Sequence, residues 1–280
     1  MNLKRKKHLL PYALLLIIHS VLLFYTFYKN KDRKRLFILL VSNIGLAYFF
    51  EYFVVNLFNG YSYKPGVFKN NYIDKIMGAI LSQAIYVPFT ALFITAFRLG
   101  WKYKLVTVIY FGVVEAFYVR LGIYTHMWWR TIYTVFLLPI YFFISDKWYE
   151  QLKKGNPAIQ FFSLYHFIVV TCVNVLFIKA VRNKVKFGRG YFHSWREHFI
   201  LVPLYSMVIA LFSAWQLKDS KGYNIGKVMG FQLIIDNVLE RGSWLKVNGE
   251  HKLNHYLSQL TMSILSIFYR DLVYKNKANS

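Results

Sequence analysis

The stretch Val113–Trp148, VVEAFYVRLGIYTHMWWRTIYTVFLLPIYFFISDKW, contains two apolar runs and the turn between them. Glu115 sits inside the first run, Arg120 and Gly122 close it, and an aromatic loop with His126, Trp128 and Trp129 leads to Thr131, where the second begins. Runs of this kind recur along the whole chain. Of its 280 residues 56% are hydrophobic and 20% aromatic, and they come in blocks near the roughly 20 residues needed to cross a hydrocarbon core, not in one-sided stripes. A soluble protein would have to bury all of these blocks, which the composition opposes.

The fold class expected is therefore all-α, a polytopic transmembrane bundle of eight or nine spans forming one integral membrane domain over residues 1–280. The spans are read at 9–28, 36–58, 74–97, 105–122, 131–148, 158–178, 199–217, 226–245 and 253–274. The first follows a basic end as a signal peptide would, but it is long and lacks a small-residue cleavage site, so it reads as retained. The ninth carries Gln259, Ser263 and Arg270, which leaves an interfacial placement open. Pro88 is expected to kink the third span, its freed carbonyl satisfied by a neighbour such as Thr90. Gly78 and Ser82, four apart, read as a close-packing helix face.

The net charge of +23 first suggests nucleic acid. The cations, however, are spread in short clusters over every loop, such as Lys4–Lys7, Lys29–Arg35 and Lys179–Lys186. Anionic lipid headgroups are the expected partner, and nucleic acid is not. The 35 Lys and Arg divide almost evenly between the two sides, so they do not fix orientation; the basic tail and the long loop Lys179–His198 favour an inside N-terminus. The single Cys172 excludes an intramolecular disulfide and a Cys-based zinc site.

A charge in hydrocarbon needs a counter-charge or a proton, so ionisable residues within spans are functional candidates. Glu51, Glu115, Asp236 and Glu240, with Arg120 and Arg241, are read as an intramembrane polar cluster that binds a cation or proton or positions a polar solute. The plainer alternative is a set of neutralised acids that fixes helix packing. His19 reads as a packed, hydrogen-bonded histidine. His251 and His255, with Glu250 adjacent, have the spacing of two metal ligands on a helix. They lack the His-Glu-x-x-His order, and no metal or other cofactor is expected. No nucleophile elbow or phosphate loop occurs, Gly188-Arg-Gly190 being a lone turn.

An echo runs through the chain. Ile85-Tyr-Val-Pro88 is matched by Ile200-Leu-Val-Pro203, and Glu115, Arg120 and Gly122 by Asp236, Arg241 and Gly242. These pairs suggest a parallel internal repeat, a known transporter construction with sites at the repeat interface.

The run Glu115…Arg120-Leu-Gly-Ile-Tyr124…Trp128-Trp129-Arg130-Thr131-Ile-Tyr133…Trp148-Tyr149 resembles a small family of uncharacterised integral membrane proteins of bacilli and clostridia. The resemblance is strongest over 113–150 and does not extend with assurance past about residue 180. It implies a bacterial cell membrane and hands over no catalytic residue. Function is left with three readings. The first is a non-enzymatic binder or permease for a proton, cation or small solute. The second is an embedded enzyme on a lipid-linked or apolar substrate, with Glu115 or Asp236 as general acid and Arg120, His126 or Arg241 as headgroup contact. The third is a structural subunit that docks through a basic loop. Counting about 15 Å from Lys104 places Glu115 near mid-membrane, which favours the first and argues against an enzyme.

Overall fold

Three polar side chains start helices in this chain. Asn70 accepts from the backbone N–H groups of Tyr72 at 2.9 Å and Ile73 at 3.2 Å. Asn156 does the same for Ala158 and Ile159, with Pro157 as the first helical residue. Ser194 and Glu197 form a reciprocal capping box. Ser194→Ala removes half of that box and should cost about 1 kcal/mol. An unchanged unfolding midpoint in a denaturant titration would rule the cap out.

The computed structural model describes residues 3–189, 193–219, 224–247 and 252–275. Gly190, Glu250 and His251, singled out above, lie outside these residues. Each of the nine expected segments falls on a helix. Among the described residues, five helical stretches are long and apolar enough to cross a membrane: His8–Lys29, Arg33–Leu57, Asn71–Ala96, Pro157–Val181 and Trp195–Leu217. The other four carry charges that lower their apolar content, such as Lys102, Lys104, Glu115 and Arg120 in one of them.

The chain divides into two compact units, Met1–Gly155 and Asn156–Ser280. The first runs α1 (Leu3–Lys29), α2 (Arg33–Glu51), β1 (Tyr61–Tyr63), α3 (Asn71–Ile80), α4 (Val87–Ala96), α5 (Trp101–Arg120), β2 (Tyr124–His126) and α6 (Thr131–Lys153). A π-turn, Tyr52–Leu57, extends α2, and a second, Leu81–Tyr86, joins α3 to α4 in one rod. The second unit runs α7 (Pro157–Val181), β3 (Val185–Phe187), α8 (Trp195–Leu217), α9 (Asn224–Arg241), β4 (Leu245–Val247) and α10 (Lys252–Tyr274). Leu245, expected to end the eighth span, instead begins a strand.

The strands are the main departure from expectation. β1 pairs antiparallel with β2, placing Tyr61 opposite His126 and Tyr63 opposite Tyr124; β3 pairs likewise with β4, Val185 opposite Val247 and Phe187 opposite Leu245. Both units thus follow the order helix, strand, helix, helix, strand, helix, with α1 added ahead of the first. The details keep step. Asn59 and Asn183 each take a left-handed conformation two residues before their strand, and Asn70 and Ser194 cap the next helix, all 124 positions apart. Gly122 and Ser243 take the left-handed turn after α5 and α9, 121 apart, as are Glu115 and Asp236. Lys64 N donates to Ile123 O at 2.9 Å and Gly188 N to Trp244 O at 3.0 Å.

At these offsets Glu115 and Arg120 stand against Asp236 and Arg241. Gly122 matches Ser243 and not Gly242. Pro88 stands 18 residues after its cap Asn70, Pro203 only nine after Ser194, so the two prolines are not equivalent. The π-turn before Pro88 accommodates it, Val87 N reaching Ser82 O, while Thr90 Oγ1 bonds Tyr86 O at 2.8 Å. Gly78 does not face another helix: it backs onto Tyr63 and Pro65 beside β1.

In the second unit, Cys172, Leu176, Phe187, Tyr205 and Ile209 form one apolar cluster, and Leu164, Ala210 and Val228 belong to another. In the first, Tyr12, Tyr86, Phe111, Ile123, Tyr124 and Trp129 share a core. His19 is packed as expected, its Nδ1 2.7 Å from Leu15 O and its ring 5.1 Å from that of Tyr86.

A candidate ligand cavity in the first unit

The left-handed turn at Gly122 sends the chain back toward the unit interior, so Ile123 and Tyr124 are buried and His126 comes beside the helix the chain has just left. Glu115 lies five residues, about 7.5 Å, before the end of α5. That is about midway between the middle of the helix and its end. Lys104, the reference for the deeper placement, is itself buried and ion-paired to Asp146. That pair belongs to a polar chain, Asn43 to Ser145 to Thr95 to Asp146.

Three donors hold the Glu115 carboxylate. His126 Nε2 lies 2.7 Å from Oε1, Thr131 Oγ1 donates to the same oxygen at 2.9 Å, and Thr134 Oγ1 donates to Oε2 at 2.5 Å. The threonines stand three apart at the start of α6, which puts both hydroxyls on one face. Glu115 also lines a cavity of about 350 Å³ whose lining residues all belong to the first unit. Its walls come from α1, α2, both strands, the π-turn Leu81–Tyr86, α5 and α6. Ten of its 23 lining residues are aromatic, and Glu115 is the single charged one.

Glu51 stands behind this wall. Tyr61 Oη donates to its Oε2 at 2.6 Å and Gln83 Nε2 at 3.2 Å, while Oε1 has no hydrogen-bond partner among the described residues. Tyr61 and Gln83 line the cavity themselves. Burial, and then the nearby carboxylates and phenols, push the hydroxyls of Tyr61, Tyr63 and Tyr124 well above their ordinary range, so they remain neutral donors. Tyr12 Oη bonds Ile123 O and Tyr86 Oη bonds Tyr12 O, each at 2.8 Å. Tyr118, 6% exposed and in the cavity wall, has a hydroxyl without a partner among the described residues.

No protein-family model matches the chain, and no curated protein or solved structure matches it. The residues alone must therefore carry the reading.

Asp236 belongs to the second unit and has a different setting. It is 1% exposed; Tyr205 Oη donates to Oδ1 at 2.8 Å, His255 Nε2 lies 2.7 Å from Oδ2, and Gln259 Nε2 bonds Oδ2 as well. His255 is thereby committed to a carboxylate, with Lys179 Nζ 3.3 Å from its Nδ1. Gln232, on the same face of α9, accepts from Ser263 Oγ at 3.0 Å. Glu240 is half-buried one turn further on. Arg120 and Arg241 are exposed, and the donors to Glu115 and Asp236 are His, Thr, Tyr and Gln instead. Trp129 is buried under β1, whereas Trp128 is half-exposed and bonds Phe58 O at 2.8 Å.

The sequence reading passed over the aromatic wall and the two threonines. Thr131 and Thr134 carry a local signal, two hydroxyls on one helix face in an otherwise apolar run. The wall has none, because its rings come from separate elements.

Proposed function

We propose that this chain is a nine-span protein of the bacterial cell membrane, built from a duplicated helical module, whose first unit binds a small solute in the Glu115 cavity. The observation that carries the binding reading is an aromatic cavity whose lining holds one carboxylate, fixed by Thr134 within the lining and by His126 and Thr131 outside it. A site of this size, apolar apart from a few placed polar groups, is the form ligand sites take. The exposed apolar faces of α5 and α6, with Ile109, Val113 and Phe117 on one and Phe136, Ile140 and Phe143 on the other, support lipid contact for these helices too. The matched caps, turns and strand bonds support duplication, and the resemblance noted for 113–150 supports the bacterial setting. Contact of the loop cations with anionic headgroups belongs to the same reading.

Binding is favoured over catalysis because acid–base work needs both partners within reach of the substrate. Here His126 stands behind Glu115 and outside the lining. The two π-turns add to the case, since single π-turns cluster at functional sites. One supplies Ser82, Gln83 and Tyr86 to the wall, and the other follows Glu51 directly.

The test is thermal stability of the detergent-purified chain over a panel of small apolar solutes, wild type beside Val114→Trp, which fills the cavity. A ligand at about a hundred times its Kd should add about 2.7 kcal/mol and raise the melting temperature by a few degrees. Val114→Trp should melt near the wild type and show no ligand shift. A panel that shifts both proteins equally would place binding elsewhere and sink the reading.

A further inference from the structure

We infer that the solute is a lipophilic organic cation, an ammonium nitrogen carrying apolar substituents; the inference rests on the cavity being a binding site. Three observations converge on that class.

The first is charge. In a chain of net charge +23, the cavity lining contains one carboxylate and no Lys, Arg or His among the described residues. A site for an anion would be expected to draw on that abundant cation supply, and Glu115 would repel an anion. The second is the wall. Ten aromatic rings, among them Tyr12, Phe50, Tyr118 and Trp129, face the space. Aromatic faces carry negative quadrupole density and attract a cation that has shed its water. A hard cation such as Ca²⁺ or Mg²⁺ is poorly served, because it asks for six or more oxygen ligands, and most of this wall is carbon. An apolar cation gains from the same wall twice, by burial of its substituents and by cation–π attraction.

The third is unused hydrogen-bonding capacity. Glu115 Oε2 receives only the Thr134 hydroxyl among the described residues, and the Tyr118 hydroxyl receives nothing. A carboxylate oxygen has room for a further donor or an adjacent positive charge. His126 and Thr131 take up the other oxygen, Oε1, and so fix the plane of the carboxylate without closing its other side.

The decisive comparison is between two molecules of nearly the same shape, benzyltrimethylammonium and its uncharged isostere neopentylbenzene. Each is equilibrated by dialysis against the detergent-purified full chain, with benzenesulfonate as an anionic control. The wild type should bind the cation about tenfold or more tighter than the isostere, the range expected for a desolvated cation–π site with a carboxylate. Benzenesulfonate should not bind. Glu115→Gln should lose the preference, while Val114→Trp should bind neither. The wild-type comparison stands alone if Glu115→Gln does not fold. An isostere bound as tightly as the cation overturns the cationic assignment, and if Val114→Trp then abolishes its binding, the cavity reading survives. Cation bound equally by wild type and Val114→Trp, or benzenesulfonate bound best, overturns the assignment as well. If neither the cation nor its isostere binds the wild type, the assignment and the cavity reading fall together.

Discussion

Gly78→Ala is expected to destabilise the first unit by about 3 kcal/mol, the upper range for an overpacked core. A Cβ added there would lie 2.2 Å from Tyr63 Cβ, 2.9 Å from Tyr63 Cγ and 3.2 Å from Pro65 Cδ. The strand cannot simply withdraw. Tyr63 is paired with Tyr124, Lys64 N is bonded to Ile123 O, and Asp74 holds the backbone N–H groups of Gly66 at 2.9 Å and Phe68 at 2.8 Å. Relief would therefore break main-chain bonds. Gly112→Ala is the natural control, because its Cβ would meet nothing closer than Val135 Cγ2 at 3.7 Å. Denaturant unfolding in detergent should separate the two substitutions clearly. A Gly78→Ala protein as stable as Gly112→Ala would show that β1 is not held where it lies.

Asp236→Ala should cost about 3–5 kcal/mol, the usual penalty for removing one partner of a buried charged pair. Tyr205, His255 and Gln259 would each lose their acceptor in an interior where the Asp236 side chain is 2% exposed. Asp236→Asn, which keeps one acceptor oxygen, should fall between. Hydrogen exchange resolved along the chain is the measurement, with faster exchange in α9 and α10 as the expected result; unchanged protection there would refute it. Glu115→Gln should behave otherwise. Its side chain is 11% exposed and borders a cavity, so the cost should be small and the effect should appear in binding. The two acids occupy equivalent places in their units. One is sealed in, and the other faces a space.

How far the residues foretold this follows from what each feature depends on. The helices were legible because lipid and interior both demand apolar side chains, which leaves a continuous run for each helix. The acids were legible because a carboxylate in such a run is conspicuous. Their partners were not. Arg120 and Arg241 were read into one polar cluster with the acids, but five residues at about 100° each carry a side chain some 140° round the helix from Glu115 or Asp236. The observed partners His126 and His255 are 11 and 19 residues away in sequence, beyond a strand that no alternation announces. Three-residue strands such as Tyr61–Tyr63 are too short to show a period. The Glu-Arg spacing keeps the same offset as the left-handed turns that follow α5 and α9, whereas the two prolines match only as letters.

The β1–β2 pair has a consequence for how such a protein can change over generations. This part of the cavity boundary is made of main chain, closed by strand bonds and by Lys64 N to Ile123 O, and those bonds do not depend on which side chains the strands carry. Tyr61, Tyr63 and Tyr124 project from that frame into the chamber. Descendants of this chain can therefore exchange those rings and acquire a taste for a new molecule without dismantling the frame that presents them.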